Sequence, residues 1–148
     1  MERTRVAGII FMEDGIALMH RKDVKKRKDF QEYYTFPGGG LEEGETPEEG
    51  TIREIEEEFG IKVEIVKKLY EIDLEIFNQK EIFYLCKYVS GEFGTGTGPE
   101  FLNNPDYADS GKYIPEIIKK EDIEKILLLP NEIRDRFVAD LKANFIEI

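Results

Sequence analysis

The stretch from Gly39 to Ile61, GGLEEGETPEEGTIREIEEEFGI, constrains the chain most tightly. Its second half predicts a short amphipathic helix. Thr46 is placed as its N-cap, Pro47 stands in the first turn where a missing N–H is tolerated, and Glu49 completes a T-x-x-E capping box. Gly60 ends the helix by supplying a left-handed C-terminal position. At about 100° per residue, Ile52, Ile55 and Phe59 fall on one face. Glu54, Glu57 and Glu58 fall on the opposite face. Packing the apolar face into a core would aim three carboxylates at one point outside it.

Like charges at i, i+4 weaken a helix by roughly 0.2–0.5 kcal/mol per pair, and only Arg53 lies near enough in sequence to relieve them. Two readings follow. One is a solvated acidic face. The other is a metal site, because hard divalent cations such as Mg²⁺ and Mn²⁺ prefer clustered carboxylate oxygens and take substrate phosphates as further ligands. The preceding FPGGG, Phe36 to Gly40, favours a ligand, since glycines let backbone approach it closely.

These residues resemble the Nudix box, G-x5-E-x7-R-E-U-x-E-E-x-G-U with U aliphatic. Gly39, Glu45, Arg53, Glu54, Ile55, Glu57, Glu58, Gly60 and Ile61 match it at every fixed position. FPGG and the order of elements around the box extend the resemblance to most of the chain. The resemblance implies a hydrolase of phosphoanhydrides in nucleoside diphosphate-linked compounds, with Mg²⁺ or Mn²⁺ as cofactor. It implies catalytic roles for Arg53, Glu54, Glu57 and Glu58. Glu57 and Glu58 are the main metal ligands, and Glu54 binds metal or accepts a proton from the attacking water. Arg53 orients the carboxylates, and Glu45 either pairs with it or stands behind the metal ligands. By the same analogy the Gly38 carbonyl completes the metal sphere. Glu100, just after GTGTGP, is the candidate for a further carboxylate ligand; an exposed loop glutamate is the alternative.

A chain of 148 residues with 41% hydrophobic and 36% charged residues fits one globular domain, residues 1–148. Its net charge of −11 argues against nucleic acid or an anionic membrane as a partner held by charge. No apolar run reaches the length of a membrane span, and no signal peptide is read at the N-terminus. Cys86 has no partner for a disulfide and is read as a small buried side chain. The expected compartment is the cytoplasm.

Along the chain, Arg5 to Met12 and Ile16 to Arg21 read as a hairpin around Glu13-Asp14-Gly15. His20 is the only histidine, read as structural or exposed, with substrate contact as the alternative. The basic segment Arg21 to Asp29, RKDVKKRKD, is either a solvated loop or a mobile loop that meets phosphate. Glu32 to Phe36 is a short strand. Lys62 to Phe77 reads as strand with a hairpin-like break, followed by a turn at Gln79-Lys80 and a strand from Glu81 to Val89. Gly91 to Gly98 reads as a flexible loop. Tyr113 to Lys119 is a further strand, and Asp122 to Leu129 a short helix or irregular turn. Ile133, Phe137, Val138 and Leu141 recur at helical spacing, so the chain closes on an amphipathic helix. That helix packs on the domain or on a second subunit, which leaves a homodimer open. The order of elements is α+β; the resemblance implies an α/β/α sandwich around a mixed sheet.

The substrate is read by exclusion within the family. No proline occurs between Pro47 and Pro99, where ADP-ribose enzymes carry one, and Phe77, Asn78 and Gln79 stand where dinucleoside-polyphosphate enzymes carry tyrosine. What remains is a MutT-like hydrolase of nucleoside triphosphates, oxidised ones included, releasing the monophosphate and pyrophosphate. The reading of another class is a non-catalytic Nudix-fold binding or regulatory module; such modules usually lose box carboxylates, and this chain keeps them all. A Ca²⁺-buffering helix would need an EF-hand loop, which is absent.

Overall fold

The computed structural model describes residues 2–25, 31–98 and 111–146. Its elements in chain order are β1 (Arg3–Met12), β2 (Gly15–Lys22), β3 (Tyr33–Thr35), β4 (Gly38–Gly40), α1 (Pro47–Phe59), β5 (Ile61–Leu74), β6 (Gln79–Gly91), β7 (Lys112–Lys119), β8 (Leu128–Leu129) and α2 (Asn131–Lys142). The sheet is mixed and runs β5-β6-β1-β2-β3-β8, with β4 beside β1 and β7 beside β2. β1 is parallel to β6 and antiparallel to β2 and β4. Along β1, the partner on one side changes from β4 at Arg5–Ala7 to β2 at Phe11–Met12. The sheet splits there, and the split opens a cleft.

Side chains alternate across a strand, so neighbouring residues feed opposite layers. Val6 and Ile10 of β1, with Ile82, Tyr84 and Cys86 of β6, pack under Ile55 and Phe59 of α1. Ile9, Phe83 and Leu85 face the other way and pack under Ile133 and Phe137 of α2. Both faces are covered, which is why β6 reads as an almost continuous apolar run. The result is the expected α+β layout, a mixed sheet between α1 and α2. Cys86 is fully buried, and burial pushes its thiol up to about 12. Neither described helix is long and apolar enough to cross a membrane.

Three expectations need correction. There is no hairpin-like break inside Lys62 to Phe77. β5 runs unbroken for 14 residues, with register shifts at Lys62/Val63, Ile65/Lys67 and Lys68/Tyr70. Bulges place extra residues against the partner strand and disturb the alternation that marks a strand. The turn lies at Glu75–Phe77 with Asn78 left-handed (φ 49°), and Gln79 and Lys80 already belong to β6. Asparagine tolerates that conformation better than most residues. Finally, the short helix read for Asp122 to Leu129 is present as a 3₁₀ helix over Lys120–Lys125, but the end of that segment, Leu128–Leu129, is the strand β8.

Of the two arrangements left open for the C-terminal helix, α2 adopts the one within the domain. Phe137 is fully buried, with its ring centroid 5.5 Å from that of Phe36 and 6.2 Å from that of Phe11. Phe137→Ala is therefore expected to lower stability by about 3–5 kcal/mol, the range for emptying a buried phenylalanine site. Urea unfolding measures it; a loss below about 1 kcal/mol would show that α2 is not part of the core.

Candidate active site

The carboxylate helix is built locally as its sequence dictates. The Thr46 hydroxyl accepts from the Glu49 N–H at 3.1 Å, and the Glu49 carboxylate accepts from the Thr46 N–H at 3.0 Å. Gly60 closes α1 at φ 75°, a left-handed position that glycine takes without strain. The buried face is rotated slightly from the expected one. It carries Gly50, Thr51, Ile55 and Phe59, and Ile52 lies at its margin. Thr51 is tolerated there because its hydroxyl donates to the Pro47 carbonyl at 2.8 Å. A side chain on Gly50 would begin 2.3 Å from Leu41 Cδ2, so α1 sits against its own leading loop.

The segment read as a flexible loop, Gly91 to Gly98, covers the C-terminal end of α1. The N–H groups of Gly94 and Thr95 donate to the Phe59 carbonyl at 2.9 and 3.3 Å, and that of Gly98 donates to the Glu57 carbonyl at 2.9 Å. The last turn of a helix has carbonyls with no partner inside the helix. Satisfying them fixes the turn that carries Glu57 and Glu58.

Arg53 is the hub. It donates to Glu45 through two parallel bonds, Nε to Oε2 at 2.7 Å and Nη2 to Oε1 at 3.0 Å. Nη2 also donates to the Gly40 carbonyl at 3.1 Å, and Nη1 to Glu54 at 3.0 Å and Glu57 at 3.3 Å. One guanidinium thus ties α1 to its leading loop and to β4 while meeting two of the three carboxylates. Its hydrogen bond holds the Glu45 carboxyl below the ordinary range, and Glu45 in turn holds the arginine proton more tightly.

The carboxylates meet β4, where there are no side chains to meet. An ideal Cβ on Gly39 would lie 2.5 Å from Glu54 Oε1, so the carboxylate occupies the space a side chain would need. The Gly38 N–H donates to Glu58 Oε2 at 2.9 Å. Among the described residues no three acidic, histidine or cysteine side chains converge as a ready metal cage. Arg53 donates to Glu54 and Glu57, and the Gly38 N–H to Glu58. The Gly40 carbonyl joins the cluster by accepting from Arg53. Glu56 is exposed and does not line the cleft. Glu100 and residues 26–29 of the basic segment lie outside the described residues.

Glu54 and Glu58 form one side of a cleft of about 820 Å³. Its floor is Arg5 and Ala7 of β1 with Gln79, Glu81 and Phe83 of β6. Its far wall is Met19, Arg21, Tyr33 and Tyr113, and Pro130 and Asn131 at the start of α2 close one end. The Arg21 guanidinium lies 3.7 Å from the Tyr113 ring centroid, which holds a cation in that wall. A second groove, of about 420 Å³, contains neither the glycines nor Glu54 and Glu58; Glu57, expected on the face of Glu54 and Glu58, lines this groove with Glu56 and Arg53, and reaches Glu54 through the shared Arg53 Nη1. His20 faces away from the cleft. Its ring nitrogens lie 2.6 Å from Glu32 and 2.7 Å from Glu116, and Tyr34 stacks on it with centroids 4.1 Å apart. It is structural, tying β7 and the lead into β3 to β2. Sequence reading missed the floor and, apart from Arg21 at the start of the basic segment, the far wall. A signal existed: Arg5 and Glu81 stand in strand phase with Ala7 and Phe83, where a core face would be apolar.

A carboxylate helix packed over a glycine strand, at the edge of a cleft in a helix-flanked mixed sheet, defines the class. The NUDIX domain family model matches residues 1–115. The 8-oxo-dGTP diphosphatase of Haemophilus influenzae is 39% identical over 114 residues, 74% of this chain and 81% of that protein. Among solved structures, an ADP-ribose pyrophosphatase from Streptococcus suis superposes with a TM-score of 0.68 at 18% identity, covering 100% of this chain and 96% of that one. A MutT NUDIX hydrolase from Burkholderia pseudomallei superposes at 0.65 and 24% identity, covering 90% and 95%. The chain belongs to the Nudix family. It is a MutT-like Nudix hydrolase.

Gly39→Ala tests the contact between β4 and the helix. The clash falls on the far end of a flexible side chain, so the fold survives and Glu54 is displaced. We expect kcat to fall by about tenfold or more, the effect of misplacing a reacting group by about 1 Å, with the melting temperature little changed. Unchanged kcat would detach Glu54 from the reaction. Glu45 gives a pH test. Its folded carboxyl titrates below its unfolded value, so its contribution is complete above about pH 5 and is lost as pH falls through the folded value. The stability gap between the wild type and Glu45→Gln should therefore shrink from pH 6 to pH 3 in thermal melts; a constant gap would contradict the pairing.

Proposed function

We propose that this Nudix hydrolase cleaves a nucleoside triphosphate, oxidised ones included, to the monophosphate and pyrophosphate with Mg²⁺ or Mn²⁺. The observation that carries the reading is the placement of Glu54 and Glu58 over side-chain-free strand β4, at the edge of a nucleotide-sized cleft. The family generally uses divalent metal ions. The donor set fits one, since Glu54, Glu57 and Glu58 offer hard carboxylate oxygens. Glu54, Glu57 and Glu58 would hold it, with Gly38 and Glu100 as further proposed ligands. A bound divalent ion supplies charge neutralisation of the polyphosphate and a lower pKa for water.

The chain's own residues do the rest. Arg53 holds Glu54 and Glu57 in place by charged hydrogen bonds and does not reach into the substrate. A water oxygen forms a bond to phosphorus as the bridging P–O bond breaks, and pyrophosphate leaves with the electron pair. Glu54, over the Gly39 backbone, accepts the water proton and passes it to solvent. The name of the Haemophilus influenzae relative supports the triphosphate reading. The RNA pyrophosphohydrolase of Psychromonas ingrahamii is 54% identical over only 39 residues, 22% of its length, so it bears on a short segment alone. A net charge of −11 also disfavours a long RNA.

A pyrophosphate-release assay over nucleoside triphosphates with Mg²⁺ or Mn²⁺ should give turnover that excess chelator abolishes. At saturating metal, Glu57→Gln and Glu58→Gln should each lower kcat by about a hundredfold or more, since losing a charge-stabilising contact in the transition state costs about 3 kcal/mol. Glu56→Gln, on the exposed side, should stay within about threefold. Full activity in chelator, or equal losses at all three positions, would overturn the mechanism.

A further inference from the structure

The tie around His20 carries a proton that the hydrolysis does not use. The ring is buried and stacked on Tyr34, with Nε2 2.6 Å from Glu32 Oε2 and Nδ1 2.7 Å from Glu116 Oε1. The Tyr34 hydroxyl donates to the other Glu116 oxygen at 3.3 Å. Among the described residues, Glu32, Glu116 and Tyr34 are the titratable groups that meet the ring. An ionised carboxylate only accepts, so each short contact needs a hydrogen between its two atoms. A neutral imidazole has one N–H and would turn a lone pair toward the second carboxylate. The tie as built therefore holds a proton at both ring nitrogens, an imidazolium between two acceptors. Tyr34 keeps its own proton, since burial pushes its hydroxyl up to about 12.

What the tie holds is the far wall of the cleft. β2 carries His20 between β3 on one edge and β7 on the other. His20 stands opposite Tyr34 and Ile114, and the next residue, Arg21, stands opposite Tyr33 and Tyr113. Arg21, Tyr33 and Tyr113 all line the cleft. The Arg21 guanidinium lies 3.7 Å from the Tyr113 ring centroid and 5.7 Å from that of Tyr33, and it donates to the Tyr33 hydroxyl at 3.4 Å. Its place is thus set by both flanking strands. β3 is only three residues long, so it has few ladder bonds to fix its register, and a side-chain tie matters most there. β4, under the carboxylates, is held separately, by its pairing with β1 and by the Gly8 N–H on the Pro37 carbonyl at 2.9 Å. Opening the tie therefore shifts the wall that receives substrate and leaves the carboxylates over β4 in place.

We infer that His20 is a positioning residue: its second ring proton locks β3 and β7 to β2, and substrate affinity falls when that proton is lost. The inference rests on the cleft being the substrate site of the proposed hydrolysis. The deciding variant is Glu116→Gln. Its amide nitrogen can donate to an unprotonated Nδ1 while its oxygen accepts from Tyr34, so the tie closes without the extra proton. The full chain and this variant are compared on a nucleoside triphosphate at saturating Mg²⁺. As pH is raised from about 6 to about 9, the wild-type KM should rise by about threefold or more relative to that of Glu116→Gln, with the ratio of their kcat values constant. A tie with no such proton would leave both ratios constant. The chain has one histidine, so nitrogen NMR reads its ring without ambiguity. Both ring nitrogens should be protonated at the pH of lowest KM, and one should lose its hydrogen where KM rises. A constant KM ratio, a kcat ratio that moves with it, or a single protonated nitrogen throughout overturns the inference and leaves the hydrolase reading intact. If no triphosphate is turned over, the triphosphate reading falls and amide hydrogen exchange decides the inference. The amides of β3 and β7 should then lose protection relative to Glu116→Gln over the same pH range, and equal protection overturns it.

Discussion

The site depends on one guanidinium. Arg53 makes a two-pronged bond to Glu45, reaches the Gly40 carbonyl and meets Glu54 and Glu57. Three acidic side chains on one side of a short helix repel one another, and their charges are tolerable only where a fixed cation and fixed donors answer them. A lysine offers a point charge and could not make this set of planar contacts. The guanidinium binds the helix to the loop before it and to the edge strand at once, so the electrostatics of the site and the packing of α1 are a single arrangement.

The second constraint is the empty space over β4. Glu54 occupies the volume where a Gly39 side chain would stand, and Glu58 takes a backbone N–H from Gly38. Carboxylates from the α1 layer can thereby reach a cleft whose floor belongs to the opposite face of the sheet. The topology makes room for this: β1 exchanges β4 for β2 along its length, and the cleft opens at the exchange. At the other end of α1, the N–H groups of Gly94, Thr95 and Gly98 hold the last turn in place. The helix is fixed at both ends, so the carboxylates have a rigid base.

The remaining cleft residues come from strands far apart in the chain. Arg5, Glu81 and Phe83 sit on β1 and β6, Arg21 and Tyr113 on β2 and β7, and Asn131 at the start of α2. None is marked by spacing to the glycine and carboxylate segment. What brings them together is the parallel pairing of β1 with β6 and the antiparallel pairing of β2 with β7. Arg21 shows the consequence. In sequence it opens a basic segment, but in the fold it belongs to β2, held against Tyr113 as part of a wall.

The sequence by itself determined the carboxylate helix, its caps, its apolar side and the glycines before it, because these follow from spacing within one segment and from short-range hydrogen bonds. It also determined the closing helix, whose apolar residues recur at helical spacing. It misjudged the β5–β6 connection, because bulges disturb the alternation by which strands are read. It did not reveal the loop that covers the end of α1, since backbone N–H groups have no signature in residue type. Only the tertiary structure decided which carboxylates face the cleft, how Arg53 divides its bonds among them, and that Arg5 and Glu81 share one floor. Those outcomes depend on strand register, and register is set by the burial of whole faces.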